Sequence, residues 1–155
     1  MKKLLYLCLA ACLCTTLAFA QKLTNKELQG NWKMTGFTSQ GIALDFKTQE
    51  VTISPEMQAQ LSPEAITGIK EGMKQAVGPL SASYLNFKGG TMKLAVGPEA
   101  ETGDFTLTEK DGKQMLAFKK PDGSTTDLPV VMKDKQLYLT LSDQGQTADF
   151  IFRKE

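Results

Sequence analysis

The stretch YLNFKGGTMKLAVGPEAETGDFTLTEKDGKQMLAF, residues 84–118, decides the fold because its apolar residues recur at every second position between glycine-containing turns. In 91–96 and again in 105–108, apolar residues alternate with polar or small ones, as in a strand with one buried face. Gly89-Gly90 and Asp111-Gly112 are dipeptides that two-residue hairpin turns prefer. We therefore predict consecutive antiparallel strands joined by tight turns.

The same pattern continues to the C-terminus, with further apolar alternation in 128–132, 137–141 and 148–152. Together with the four apolar segments of 84–118, namely 84–87, 91–96, 105–108 and 115–118, these three make seven strands in a row. The segment around Trp32 adds an eighth. Eight antiparallel strands remove their exposed edges by closing into an up-and-down barrel, whose interior is either filled or holds one small ligand. Pro129 lies inside a strand and cannot donate a ladder hydrogen bond, so we expect a bulge or an incompletely closed seam there.

A helical insertion interrupts the strands, so the predicted fold class is all-β with two short helices between the first strand and the second. Ser54-Pro55-Glu56 and Ser62-Pro63-Glu64 are both typical helix starts, with serine as the cap and proline at the first helical position. Gly78-Pro79 predicts the end of the second helix, which places the helical insert at about 54–78. Before it, residues 38–53 are ambiguous and could form two short strands. One face of the second helix is apolar: Ile66, Ile69, Met73, Ala76 and Val77.

The first twenty residues have the order that a signal peptidase reads. Met1-Lys2-Lys3 is positively charged, residues 4–17 are mostly apolar, and Ala18-Phe19-Ala20 ends in small residues. The apolar run is too short for a membrane span. We predict an exported protein, periplasmic or secreted, with one domain at 21–155. The alternative is a lipid anchor on Cys12, because Leu9-Ala10-Ala11-Cys12 resembles a lipobox.

Composition excludes several classes of function. All three cysteines lie in the leader and the chain contains no histidine, so the usual catalytic triads and zinc sites are excluded. Residues 21–155 carry 16 basic and 17 acidic side chains, a net charge of −1 that favours neither nucleic acid nor an anionic membrane. We expect no cofactor, no resident metal and no enzymatic activity. Glu99, Glu101 and Asp104 are interpreted as a solvated loop, with a weak calcium site as the alternative.

One short motif suggests a family. Gly30-Asn31-Trp32 follows a capped turn in which Thr24 and Glu27 have capping-box spacing. This resembles the Gly-x-Trp motif of the lipocalin and fatty-acid-binding-protein group, in which an arginine on the last strand packs across the tryptophan ring. The resemblance implies that Arg153, the only arginine, stacks on Trp32 and that its N–H groups bond carbonyls of the short helix. The fatty-acid-binding proteins hold a carboxylate with two arginines and a tyrosine, and this chain has no interior arginine for that mechanism.

Two functions follow from a barrel of this kind. The first is binding of a small hydrophobic ligand inside the barrel, and the second is a packed barrel without a small-molecule ligand that contacts a protein partner or acts as an inhibitor. A void of several hundred Å³ favours the first, and a solid core with an exposed apolar patch favours the second. For the first function, the residues predicted to form the wall of the cavity are Leu94, Phe105, Leu107, Val130, Leu139 and Phe150. The residues predicted to form a lid over it are Ile66, Ile69 and Met73.

When the protein is purified from its own host, we expect native mass spectrometry to give the mass of the chain from Gln21 to Glu155, because signal peptidase removes the leader. A chain beginning at a lipid-modified Cys12 would contradict this prediction. An extra mass that denaturation releases would show a carried small ligand.

Overall fold

The computed structural model describes residues 22–143 and 145–155, and the predicted leader lies outside them. Within the described ranges no helix is long and apolar enough to cross a membrane. The described residues form three helices, α1 (Asn25–Leu28), α2 (Pro55–Gln58) and α3 (Pro63–Leu80). The strands are β1 (Gly30–Ser39), β2 (Ile42–Asp45), β3 (Glu50–Ile53), β4 (Tyr84–Lys88), β5 (Thr91–Val96), β6 (Glu99–Lys110), β7 (Lys113–Lys119), β8 (Thr125–Lys133), β9 (Gln136–Asp143) and β10 (Gln146–Lys154).

The strands form one antiparallel sheet in the order β10-β9-β8-β7-β6-β5-β4-β1-β2-β3, and β10 also pairs with β1. That last pairing closes a barrel of eight strands, β1 and β4 to β10, which confirms the predicted eight-stranded antiparallel barrel. The hairpin β2–β3 lies outside the closed ring. It joins the sheet because the first half of β1 pairs with β4 and the second half pairs with β2.

A register shift between Met34 and Gly36 accompanies this change of partner along β1. Gly36 is required at the crossing, because a Cβ built there would lie 2.4 Å from the main-chain oxygen of Leu44 on β2. Any side chain at this position would push the hairpin away from β1. The two ambiguous segments in 38–53 are therefore real strands, and they form a flap beside the barrel.

The helices follow this hairpin, between the first and second strands of the barrel as predicted. Ser54 and Ser62 cap α2 and α3 through their side chains, and a proline occupies the first turn of each helix. The second helix runs two residues past the predicted end at Gly78-Pro79. It has 18 residues and continues through Pro79 to Leu80, because the main-chain N–H of Ser81 still bonds the oxygen of Val77.

Inward-facing side chains of the eight strands fill the barrel with one continuous apolar cluster. The fully buried members that are largest in volume include Phe87, Phe118 and Phe152. A second, smaller cluster lies between the flap and α3. The main cluster comprises Leu23, Leu28, Trp32, Met34, Leu85, Phe87, Met92, Phe105, Leu116, Phe118, Leu128, Val130, Leu137, Leu139 and Phe152. The second comprises Ile42, Leu44, Val51 and Val77.

The short helix α1 covers one end of the barrel, and Trp32 holds it there. Thr24 and Glu27 form the predicted capping box at its start. The buried Trp32 Nε1–H donates to the main-chain oxygen of Leu28, 2.7 Å away. A buried indole N–H needs such a partner, and the last carbonyls of a helix have none within the helix.

The cation over Trp32 is Lys154 and not Arg153, which corrects the role that the family resemblance implied. Lys154 Nζ lies 5.5 Å from the ring centroid and donates to the main-chain oxygen of Glu27 at 3.0 Å. The reason is register: Trp32 is paired with Lys154, whereas Arg153 is paired with Lys33 and is exposed. Paired residues point to the same face of a sheet and consecutive residues point to opposite faces.

Gly30 of the Gly-x-Trp motif makes room for this lysine. Its φ is +111°, and a Cβ built there would lie 3.3 Å from Cε of Lys154. Glycine therefore serves both the backbone conformation and the path of the lysine stem towards α1.

We expect Lys154→Ala to lower the free energy of unfolding by about 1–2 kcal/mol, because it removes a cation–π contact and a charge-assisted hydrogen bond. Arg153→Ala is the matched control on the same strand and should change it by less than about 0.5 kcal/mol. Urea denaturation of the two variants measures both values. A larger effect at Arg153 than at Lys154 would contradict the observed register.

Candidate functional site

The side chains predicted to line a ligand cavity pack against one another in the main cluster. Phe105, Val130 and Leu139 are buried members of it. Leu94, Leu107 and Phe150 are partly buried at its margin. The structure therefore brings the six predicted wall residues together, and most of their surface is occupied by neighbouring side chains of the barrel.

The residues predicted as a lid lie elsewhere. Ile69 and Met73 of α3 pack against the second cluster, which belongs to the flap, and Ile66 is half-buried on the same helix. Phe46, immediately after β2, packs against both clusters. The helix thus covers the flap and meets the barrel only at the margin.

The wall of the barrel opens at Pro129. From Thr125 to Pro129, β8 pairs with β7, and from Val130 to Lys133 it pairs with β9. The seam that was expected from the proline is therefore confirmed, and it takes the form of a change of partner. Among the pairings of the described residues, none continues the β7–β8 ladder beyond Pro129.

Hairpin geometry explains why the proline has this effect. The turn between β8 and β9 has two residues, Asp134 and Lys135, both with positive φ, so the flanking Lys133 and Gln136 exchange main-chain hydrogen bonds. Since alternate residues of a strand bond opposite neighbours, odd-numbered residues of β8 face β9 and even-numbered residues face β7. The position of the missing N–H of Pro129 therefore faces β9. The pairing between β8 and β9 ends next to it, at Val130.

A surface groove of about 680 Å³ occupies the open part of the seam. Val131 on its floor is 50% exposed and is the one large apolar side chain so exposed among the described residues. The volume lies within the range of ordinary ligand clefts. The lining residues are Lys22, Glu109, Gly112, Lys113, Gln114, Pro129, Val130, Val131, Met132 and Thr140.

The N-terminal arm, residues 22–24, borders this groove and is held by two side chains. Gln114 Oε1 accepts from the main-chain N–H of Leu23 at 2.6 Å, and its Nε2 donates to the oxygen of Leu23 at 2.9 Å. Lys22 forms an exposed ion pair with Glu109 at 2.6 Å. The hydrogen bond and the charge from Lys22 lower the pKa of the Glu109 carboxyl below its ordinary value. Gln114 thus acts as a two-bond clamp for the arm.

The acidic residues that were interpreted as a loop are not in a loop. Glu99, Glu101 and Asp104 lie on β6, and Glu101 pairs with Lys120 at 2.7 Å. In the part of the chain that the structure describes, no three acidic side chains are grouped so as to hold a metal ion. The polar residues of 99–104 continue a strand because the ladder with β5 extends to Glu99, where the alternation of apolar residues has already stopped.

Of the residues that line the groove, Val130 alone was predicted as a site residue, and the missed ones include Lys113, Gln114 and Val131. The sequence did contain one signal for them, which is Pro129 inside a strand. What it lacked is the neighbour on each side of β8, because the partner of a strand depends on the closure of the whole sheet.

No protein-family model, no curated protein and no solved structure matches this chain.

We expect Gln114→Ala to lower the free energy of unfolding by about 1–2 kcal/mol, because the main chain of Leu23 loses both hydrogen-bond partners. Glu109→Gln is the control, since it removes only an exposed ion pair and should leave the free energy of unfolding nearly unchanged. Thermal and urea unfolding measure the difference. Equal effects in the two variants would show that the clamp does not hold the arm.

Proposed function

We propose that this protein is a packed β-barrel recognition module that binds a polypeptide segment in the groove at the β7–β8 seam. The observation that carries the proposal is the open ladder beyond Pro129, beside the exposed Val131. Main-chain groups on a strand edge and an exposed branched side chain together suit an extended peptide.

The filled interior supports an external binding site. Phe105, Val130 and Leu139, on which an internal ligand would depend, are each no more than 4% exposed. A ligand inside the barrel would have to displace these side chains and lose the packing that they make with each other. The groove, in contrast, is already open at the surface.

The wider setting of this function is also part of the proposal. The leader at 1–20 supports export to the periplasm or the outside, where the mature domain would start at Gln21. The closed barrel, with Gly30 and Trp32 at its covered end, supports a lipocalin-like architecture. In this reading the module is a lipocalin-like barrel whose cavity has been filled and whose wall binds the partner.

A second candidate function is binding of a small hydrophobic ligand at the other end of the barrel. Phe37 and Phe150 face each other there with ring centroids 6.3 Å apart, and Phe46 lies 6.4 Å from Phe37. Leu94 and Leu141 are partly buried against the same cluster. We call Phe37, Phe46 and Phe150, with Leu94 and Leu141, the apolar ring. A flat apolar ligand could rest on the apolar ring without entering the core, with the flap beside it.

To test the groove, random peptides displayed on phage are selected against residues 21–155. We expect selected peptides to lose at least tenfold in affinity for Val131→Glu, because the new carboxylate replaces the apolar floor. Thr102→Glu, at an exposed position near the opposite end of β6, is the control and should leave affinity unchanged. Peptides that bind both variants equally would place their site outside the groove.

A lipid screen by native mass spectrometry separates the two candidates. Retention of a lipid that is abolished by Phe150→Asp but unaffected by Val131→Glu would favour the second candidate. Selected peptides that bind in the groove while no lipid is retained would favour the first.

A further inference from the structure

We infer that the groove receives its partner as an added strand on β8, and that the segment it recognises has the pattern apolar–glutamate–apolar. This inference rests on the proposed function, because it specifies the partner of the same groove. Three features carry it: the direction of the main-chain groups of β8, the two faces of the groove and the position of Lys113.

The first feature is the direction of the main-chain N–H and C=O groups of β8. Even-numbered residues of β8 face β7, so Val130 and Met132 direct their N–H and C=O groups into the groove. The next pair of the β7–β8 ladder would be Gln114 with Val130, but the recorded pairing ends at Met115 with Pro129. Two alternate residues on one edge provide the four hydrogen bonds of a short antiparallel strand. The edge of β7 is less suited to pair with an added strand, because the side chain of Gln114 already holds the N-terminal arm there.

The side chains of β8 define the two faces that an added strand would meet. Val130 is 1% exposed and Met132 is half-buried, both towards the interior. Val131 points outward and is half exposed. Guest residues opposite Val130 and Met132 therefore point inward and are apolar, and the residue between them points outward beside Val131.

The charge of Lys113 determines which residue type is favoured at the outward position of the added strand. If the β7–β8 register continued, Val131 would be opposite Lys113, so a strand inserted between them has its outward residue flanked by both side chains. The two ion pairs among the described residues are Lys22–Glu109 and Lys120–Glu101, and neither includes Lys113. Since Lys22 is neutralised by Glu109, the groove carries one net positive charge. Glutamate fits, because its methylene groups contact Val131 and its carboxylate reaches the lysine.

The probe is the peptide acetyl-Thr-Val-Glu-Val-Thr-amide, compared with the same peptide carrying lysine in place of glutamate. We expect the glutamate peptide to bind residues 21–155 at least tenfold more tightly, measured by fluorescence anisotropy of labelled peptides. Lys113→Glu should reverse this preference, with Lys93→Glu, an exposed lysine on β5, as the control that leaves it unchanged. Circular dichroism checks that both variants keep the β-sheet signal.

Hydrogen exchange measured by NMR tests the strand itself. The amides of Val130 and Met132 should exchange at least tenfold more slowly in the complex. Methylation of the two valine nitrogens of the peptide should abolish binding, because these N–H groups face β8. Methylation of the glutamate nitrogen, which faces away from β8, should reduce binding less.

The outcomes are distinguishable. If display-selected peptides bind the groove without the apolar–acidic–apolar pattern and without slowing exchange at Val130 and Met132, the strand addition is wrong and the proposed function stands. If neither selected nor designed peptides bind, both are wrong. A charge preference that Lys113→Glu does not reverse would also overturn the inference.

Discussion

The antiparallel ladder between β1 and β10 is the constraint on which the rest of the structure depends. It removes both edges of an eight-stranded sheet, which would otherwise expose unpaired main-chain groups. The same ladder places Lys154 beside Trp32, so that the cover of the barrel is attached where the barrel closes. Closure and end cover are thus one cooperative unit, and a change in the register of β10 by one residue would break both.

A closed barrel has few breaks in its pairing, and two such breaks, among the described residues, lie beside the two surfaces proposed for binding. At β1 the register shift near Gly36 transfers the strand from β4 to the flap, and the apolar ring with Phe37 lies beside that break. At β8 the missing N–H of Pro129 ends the ladder with β9, and the groove lies beside that break. Each break costs ladder hydrogen bonds, and each exposes main-chain or apolar surface that a regular barrel would bury.

The filled core changes what this eight-stranded barrel can do. Phenylalanine and leucine side chains occupy the volume that a cargo would need, so stability and internal binding compete for the same space. The proposed site on the wall would avoid most of this competition, because Phe118 and Phe152 do not line the groove. The N-terminal arm adds a further element, since Gln114 fastens it next to the groove.

Much of the fold was determined by the sequence alone, because it depends on local patterns. The period of two predicted the strands, the Ser-Pro starts predicted both helices, and Pro129 predicted a seam. The strand character of 99–104 was missed, since the neighbouring strand β5 and not local preference extends β6 to Glu99. Only the tertiary structure decided that Lys154 and not Arg153 lies over Trp32, and that Val131 and Lys113 face one groove. These facts depend on cross-strand register, which joins residues far apart in the chain and is set when the whole barrel closes.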